Sequence, residues 1–150
     1  MDIIYIYLKQ AIEVHDLVLA KGGGGFPGIK DRGQLESILE HMQNDLYYPT
    51  FEEKLTHLLF SIIKFHVFFD GNKRSAIALV TLFLNLNGFE YCCPRFINES
   101  ENIVVWIAEN KIPKDFLKEL IENILNDYEY TEDIKLKLIN YVGIDALIKK

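Results

Sequence analysis

Leu58-Leu59-Phe60-Ser61-Ile62-Ile63-Lys64-Phe65 leads into His66-Val67-Phe68-Phe69-Asp70-Gly71-Asn72-Lys73-Arg74, and Ser75-Ala76-Ile77-Ala78-Leu79-Val80 follows. The spacing of Leu55, Leu58, Leu59, Ile62 and Ile63 predicts a helix from about Phe51 to Phe68 with one apolar face. A turn at Asp70-Gly71-Asn72 separates it from a second helix, predicted from about Lys73 to Asn87 and closed by Gly88. The upper half of that second helix (Ile77, Ala78, Leu79, Val80, Leu82, Phe83, Leu84) is apolar nearly all round, which makes it the expected central helix of the fold. The polar residues between the two helices are poorly explained by packing, because burying unpaired polar groups costs free energy. A site that holds a phosphate and a metal ion explains them better.

Outward from this pair, the sequence continues as helices. Leu8 to Lys21 carries a helical apolar stripe, stopped by Gly22-Gly23-Gly24-Gly25-Phe26-Pro27-Gly28, which must form a loop or a loose hairpin. That loop lacks the GxxxxGK[ST] pattern of a phosphate loop. Asp31 is placed as the N-cap of a helix reaching about Met42. Phe89 to Cys92 reads as a short strand ended by Pro94. Asn98 or Ser100 is then expected to cap a helix to about Asn110, and Pro113 to open another to about Tyr128. A last helix is predicted from Thr131 to near Gly143. The expected fold is all-α: one compact domain over residues 1–150, with at most a small β-hairpin. Its core spans about 4–128, and 129–150 add a C-terminal helix and tail.

Composition agrees with one globular domain: 49% hydrophobic and 25% charged residues leave enough apolar surface for a core. The net charge of −6 argues against a sequence-independent nucleic-acid binder, which needs a basic face. Adjacent Cys92 and Cys93 read as reduced structural thiols. The N-terminus lacks a signal-peptide pattern, and no apolar run reaches membrane-spanning length, so a cytoplasmic protein without a membrane partner is expected.

The bend has the parts of a phosphoryl- or nucleotidyl-transfer site. A helix N-terminus offers unpaired N–H groups and a positive dipole end to a phosphate, and Gly71 lets those groups converge. Arg74 can fork onto phosphate oxygens, with Lys73 as a point charge beside it. Asp70 is a hard oxygen ligand suited to Mg²⁺. His66 is the side-chain type suited to proton transfer at neutral pH and can take the proton of an attacking hydroxyl. Phe68 is expected to turn inward and anchor the loop. The Phe65, Phe68 and Phe69 cluster reads as core, and Glu52-Glu53-Lys54 as a solvated helix face.

His66 to Arg74 matches HxFx(D/E)GN(K/G)R, the signature of the Fic/Doc superfamily, at every signature position. Lys73 followed by Ser75-Ala76 resembles the Doc (death-on-curing) branch; the main Fic branch has a second glycine there. His15-Asp16, Gly28-Ile29-Lys30-Asp31 with Leu35-Glu36-Ser37, and Leu84 to Phe89 resemble the flanking Doc pattern, over roughly residues 4–125. The resemblance implies an α-helical toxin kinase that uses ATP and Mg²⁺. It would move the γ-phosphate to a threonine of elongation factor Tu, stop translation, and be silenced by an antitoxin from a neighbouring gene. It implies that His66 is the general base, Asp70 the Mg²⁺ ligand, and Gly71, Asn72, Lys73 and Arg74 the phosphate site. By position, Gly22–Gly28 corresponds to the family's target-docking flap. The [S/T]xxxE[G/N] string of self-inhibited Fic proteins is absent.

Three other readings stay in view. The first is AMP transfer as in the main Fic branch. The second is a binding module that has lost catalysis. The third is a metal-dependent phosphohydrolase, in which His66 and Asp70 ligate a transition metal and His15-Asp16 serves as an HD dipeptide; His41 and His57 lack a convincing spacing for it.

Overall fold

Thr50 caps the long helix, its hydroxyl accepting the Glu53 N–H at 3.1 Å. In the computed structural model, which describes residues 2–148, that helix (α3) spans Phe51–Phe65. It stops three residues before the expected end, because His66 takes a left-handed conformation (φ 50°, ψ 56°) that a helix cannot propagate. After the bend, α4 spans Asn72–Leu86. Its end is a Schellman turn: Gly88 has φ 84°, and the Phe89 N–H reaches the Leu84 carbonyl at 2.9 Å.

Around this pair the chain places α1 (Leu8–Lys21), α2 (Arg32–His41), α5 (Cys93–Ala108), α6 (Lys114–Leu125), α7 (Glu132–Tyr141) and the short α8 (Asp145–Ile148). The centre is shared: α4 packs on α1, α3 and α5, whereas α3 packs on α2, α4, α5 and α6. Leu55, Leu58, Leu59 and Ile62 of α3 and Leu79, Val80, Phe83 and Leu84 of α4 are fully buried. At roughly 1.5–3 kcal/mol for each large apolar side chain buried, this seam dominates the stability of the fold. Ile134 and Leu138 join α7 to the same core, and Lys137 of α7 pairs with Glu119 of α6 at 2.9 Å.

No strand forms among the described residues; the extended contact is one antiparallel bridge between Ile29 and Phe68. The expected strand at Phe89–Cys92 is a 3-10 turn, Glu90–Cys92, that runs directly into α5. Pro94 therefore opens that helix rather than ending a strand, since its fixed φ suits a first helical turn. Asn98 and Ser100 lie inside the helix, where the Ser100 hydroxyl donates back to the Phe96 carbonyl. Cys92 and Cys93 are free thiols, both buried, and burial pushes the Cys92 thiol up to about 11. Among the described residues no helix is long and apolar enough to cross a membrane.

Two packing expectations fail. Of the three phenylalanines at the bend only Phe68 is buried; Phe65 and Phe69 are about half exposed (53% and 51%). Lys54 is not solvated: its ammonium is enclosed, donating to Asp45 at 2.7 Å and the Met42 carbonyl at 3.1 Å, while Glu53 pairs with Lys118. Sequence spacing put Lys54 on the polar face, but the chain at 42–45 folds back over it and supplies a carboxylate.

Candidate active site

The bend between α3 and α4 is built on Phe68 and Asn72. Phe68 is fully buried and stacks face to face on His15 of α1, ring centres 3.8 Å apart. The Asn72 side chain clamps the Phe68 backbone: its Oδ1 accepts the Phe68 N–H at 3.0 Å, and its Nδ2 donates to the Phe68 carbonyl at 2.9 Å. Both backbone groups of a buried residue are thus satisfied by one amide. Asn72 is itself buried, so its side chain serves the loop and only its backbone N–H is left to offer a ligand. His15 completes the support, its Nδ1 sharing a hydrogen bond with the Ser75 hydroxyl at 2.8 Å. Burial lowers the His15 pKa below the ordinary imidazole value.

This frame presents the chemistry. A cavity of about 480 Å³ is lined by His66, Asp70, Gly71, Asn72 and Lys73, with Ile63, Lys64 and Phe69 beside them and Ala108 and Asn110 opposite. His66 is exposed, and its side chain makes no hydrogen bond to the described residues. A non-glycine residue at φ 50° carries strain on the order of 1–2 kcal/mol, which points to a constraint other than stability. Gly71 is the N-cap of α4 at φ 76°. A Cβ there would meet Leu19 at 3.2 Å and His15 at 3.6 Å, so the tight approach needs glycine.

No side chain caps α4, and no acidic residue stands in its first turn. The Asn72, Lys73 and Arg74 N–H groups therefore keep the donor capacity of an open helix N-terminus, with two cationic side chains around it. Lys73 is exposed and forms no ion pair among the described residues. Such an end favours an anion. Gly71 contributes less than expected, because its N–H already donates to Asp70 Oδ1 at 2.8 Å.

Asp70 is the sole carboxylate among the cavity's lining residues. The Phe26 N–H at 3.2 Å and the Gly71 N–H hold its pKa below the ordinary carboxylate value, with Arg74 and His15 adding to the effect. It is fully ionised at neutral pH. A single carboxylate fits Mg²⁺, which is commonly held by one or two carboxylates, water and substrate phosphates. It does not build a transition-metal site. Among the described residues no three histidine, cysteine, aspartate or glutamate side chains gather around one point.

The glycine segment lies over this site. Arg74 donates from Nη1 to the Gly22 carbonyl at 3.3 Å, and Phe26 supplies the N–H on Asp70. Farther along, the Lys30 N–H reaches the Val67 carbonyl at 2.8 Å. Phe26 meets Phe69 edge to face at 5.4 Å, so two exposed aromatics crown the entrance. Sequence reading missed these contacts, since backbone groups in a glycine run carry no side-chain signal. It also missed Asn110 and Ala108, which reach the cavity from the end of α5. The one signal was Asn110 itself, a residue type suited to its left-handed φ of 60°.

The histidine, aspartate, open helix end and Lys73 thus share one cavity, while Arg74 is turned to the glycine segment. The Fic/DOC family model matches residues 5–84. The chain belongs to the Fic/DOC family. Within that family it resembles Doc proteins. It is 33% identical over 90 residues, 57% of this chain and 70% of the relative, to "Protein kinase doc" of Escherichia phage P1. It is also 31% identical over 98 residues, 61% of this chain and 75% of the relative, to "Toxin Doc" of Mycolicibacterium smegmatis. As a Doc-branch member of the Fic/DOC family, it has its signature on the α3–α4 bend and its glycine segment above.

Proposed function

We propose that this chain is a Doc-type toxin kinase that transfers the γ-phosphate of ATP to a hydroxyl of a protein target in the cytoplasm. The observation that carries the reading is the uncapped N-terminus of α4, with Lys73, in the same cavity as His66 and Asp70. The open N–H groups and Lys73 hold the phosphates, and Arg74 adds its fork once released from the Gly22 carbonyl. Asp70 binds the Mg²⁺ that accompanies the nucleotide and neutralises its charge. His66, exposed and unencumbered, accepts the proton of the target hydroxyl as its oxygen attacks phosphorus. The entrance aromatics Phe26 and Phe69 give the target polypeptide an apolar surface to rest on.

The kinase assignment draws on the likeness to "Protein kinase doc" and on Lys73. A lysine in place of the second glycine puts bulk and charge where an AMP-transferring site needs bare backbone. The target that follows from the resemblance is a threonine of elongation factor Tu, whose modification would block translation. A separately encoded antitoxin would silence the toxin. AMP transfer is the competing reading on the same frame.

His66→Ala tests the proposal. The phosphate cradle stays intact in this variant, so ATP–Mg²⁺ should still raise its melting temperature as in the wild type. Transfer to the target should fall by about 10²–10⁴-fold. Undiminished transfer or toxicity would remove His66 from the mechanism.

A further inference from the structure

A second cavity, of about 320 Å³, lies between α2, α3 and α6 and shares Lys64 with the candidate active site. The Lys114 ammonium, at the start of α6, lies 3.0 Å from His57 Nδ1 and 5.1 Å from the centre of the Tyr48 ring. It is also 5.9 Å from the Phe60 ring, which Lys64 approaches at 5.6 Å. His41 closes the cluster, 5.5 Å from His57 ring to ring. No aspartate or glutamate lines the cavity.

Two lysines thus face one aromatic wall without a counter-charge, in a chain whose net charge is −6. Neither Lys64 nor Lys114 makes an ion pair among the described residues. The contrast with Lys54 is direct, since that buried ammonium has Asp45 at 2.7 Å. Burial lowers the Lys114 pKa, and the His57 imidazole is pushed down to about 4 by burial first, then by Lys114 and His41. His57 is only 6% exposed, and its Nε2 has no hydrogen-bond partner among the described residues. A buried imidazole nitrogen and a half-buried ammonium with only neutral partners, as Lys114 is, are unfavourable unless something pairs with them.

We propose that this cavity binds a small organic oxyanion, its carboxylate or phosphate group drawn to Lys114 and Lys64 and its apolar body held against Tyr48 and Phe60. Aromatic walls with a few convergent polar groups suit such a ligand, and lysine acts on an oxyanion as a point charge. The site is distinct from the helix end at α4, and it does not depend on the kinase reading.

Phenyl phosphate and benzoate are the probes, titrated into the full chain at pH 7 while the His57 and His41 ring nitrogens are followed by NMR. Both resonances should shift saturably. The shift should survive in Lys73→Ala/Arg74→Ala, which weakens the anion site at α4. Affinity should fall about tenfold in Lys114→Met, the loss expected for one charge-assisted contact. Lys64→Met, at an exposed position, should weaken binding in the same direction and serves if the first variant fails to fold. The tighter probe assigns the headgroup as phosphate or carboxylate. Unmoved His57 resonances with both probes, or equal binding in the lysine variants, would overturn the site.

Discussion

Asn72 shows how a signature residue can serve a site without touching its ligand through its side chain. Its amide satisfies both the N–H and the carbonyl of buried Phe68, and the stacked pair Phe68–His15 then fixes the bend. Asn72→Ala leaves those two backbone groups without that partner, each costing about 1–3 kcal/mol where water cannot reach. We expect a loss of about 2–4 kcal/mol in urea unfolding, with phosphate affinity weakened because the first turn of α4 loses its register. A variant as stable as the wild type would show that the clamp is dispensable. His66 sits at the other extreme, exposed and in a left-handed backbone conformation at the end of α3. Its type and spacing were readable in the sequence. Its left-handed φ was not, because only glycine, and to a lesser degree asparagine and aspartate, advertise that conformation.

At the scale of elements, α1 falls on the boundaries its apolar stripe predicts, since Gly22 ends both pattern and helix. α3 fell short of its predicted end because Val67 and Phe68 continue the apolar run as extended chain, the Val67 carbonyl accepting from the Lys30 and Asp31 N–H groups and the Phe69 N–H donating to the Gly28 carbonyl. Periodicity cannot separate a buried extended segment from the last turn of a buried helix. Phe65 and Phe69 misled for the same reason: hydrophobic type marks core, yet these rings border the cavity region. The glycine segment was legible as a loop but not as a cover. Gly25 stands at φ 150°, and a Cβ there would lie 2.7 Å from Asp70 Oδ2 and 2.9 Å from Leu19. Gly25→Ala should push the loop off Asp70 and break the Phe26 N–H bond. The Asp70 pKa, now lowered chiefly by that bond, should rise toward the ordinary carboxylate value. Carbon-detected NMR titration of Asp70 measures this, and an unchanged titration would mean that the loop does not hold the carboxylate.

Across the whole molecule, two buried histidines tie stability to pH. His15 and His57 both have pKa values lowered by burial, so the unfolded chain binds protons that the folded chain refuses. Their contribution is present above the unfolded value of about 6.5 and is lost as the pH falls, for His57 down to about 4. Urea midpoints should therefore drop between pH 7 and pH 4.5. His57→Gln, which keeps an acceptor for Lys114 but cannot titrate, should show a smaller drop. Equal drops in both proteins would show that His57 is not a source of acid sensitivity.

The same bundle that buries these histidines holds the open end of α4 rigidly beside His66. The claim that this end orients a nucleotide for kinase chemistry is tested most directly by following label from ATP to purified elongation factor Tu, the proposed target. With γ-labelled ATP the wild-type chain should label the target, and with α-labelled ATP it should not. Lys73→Gly should weaken the γ transfer, because the point charge on the phosphates is gone. Label arriving from α-labelled ATP alone would contradict the kinase account and make this chain an AMP transferase.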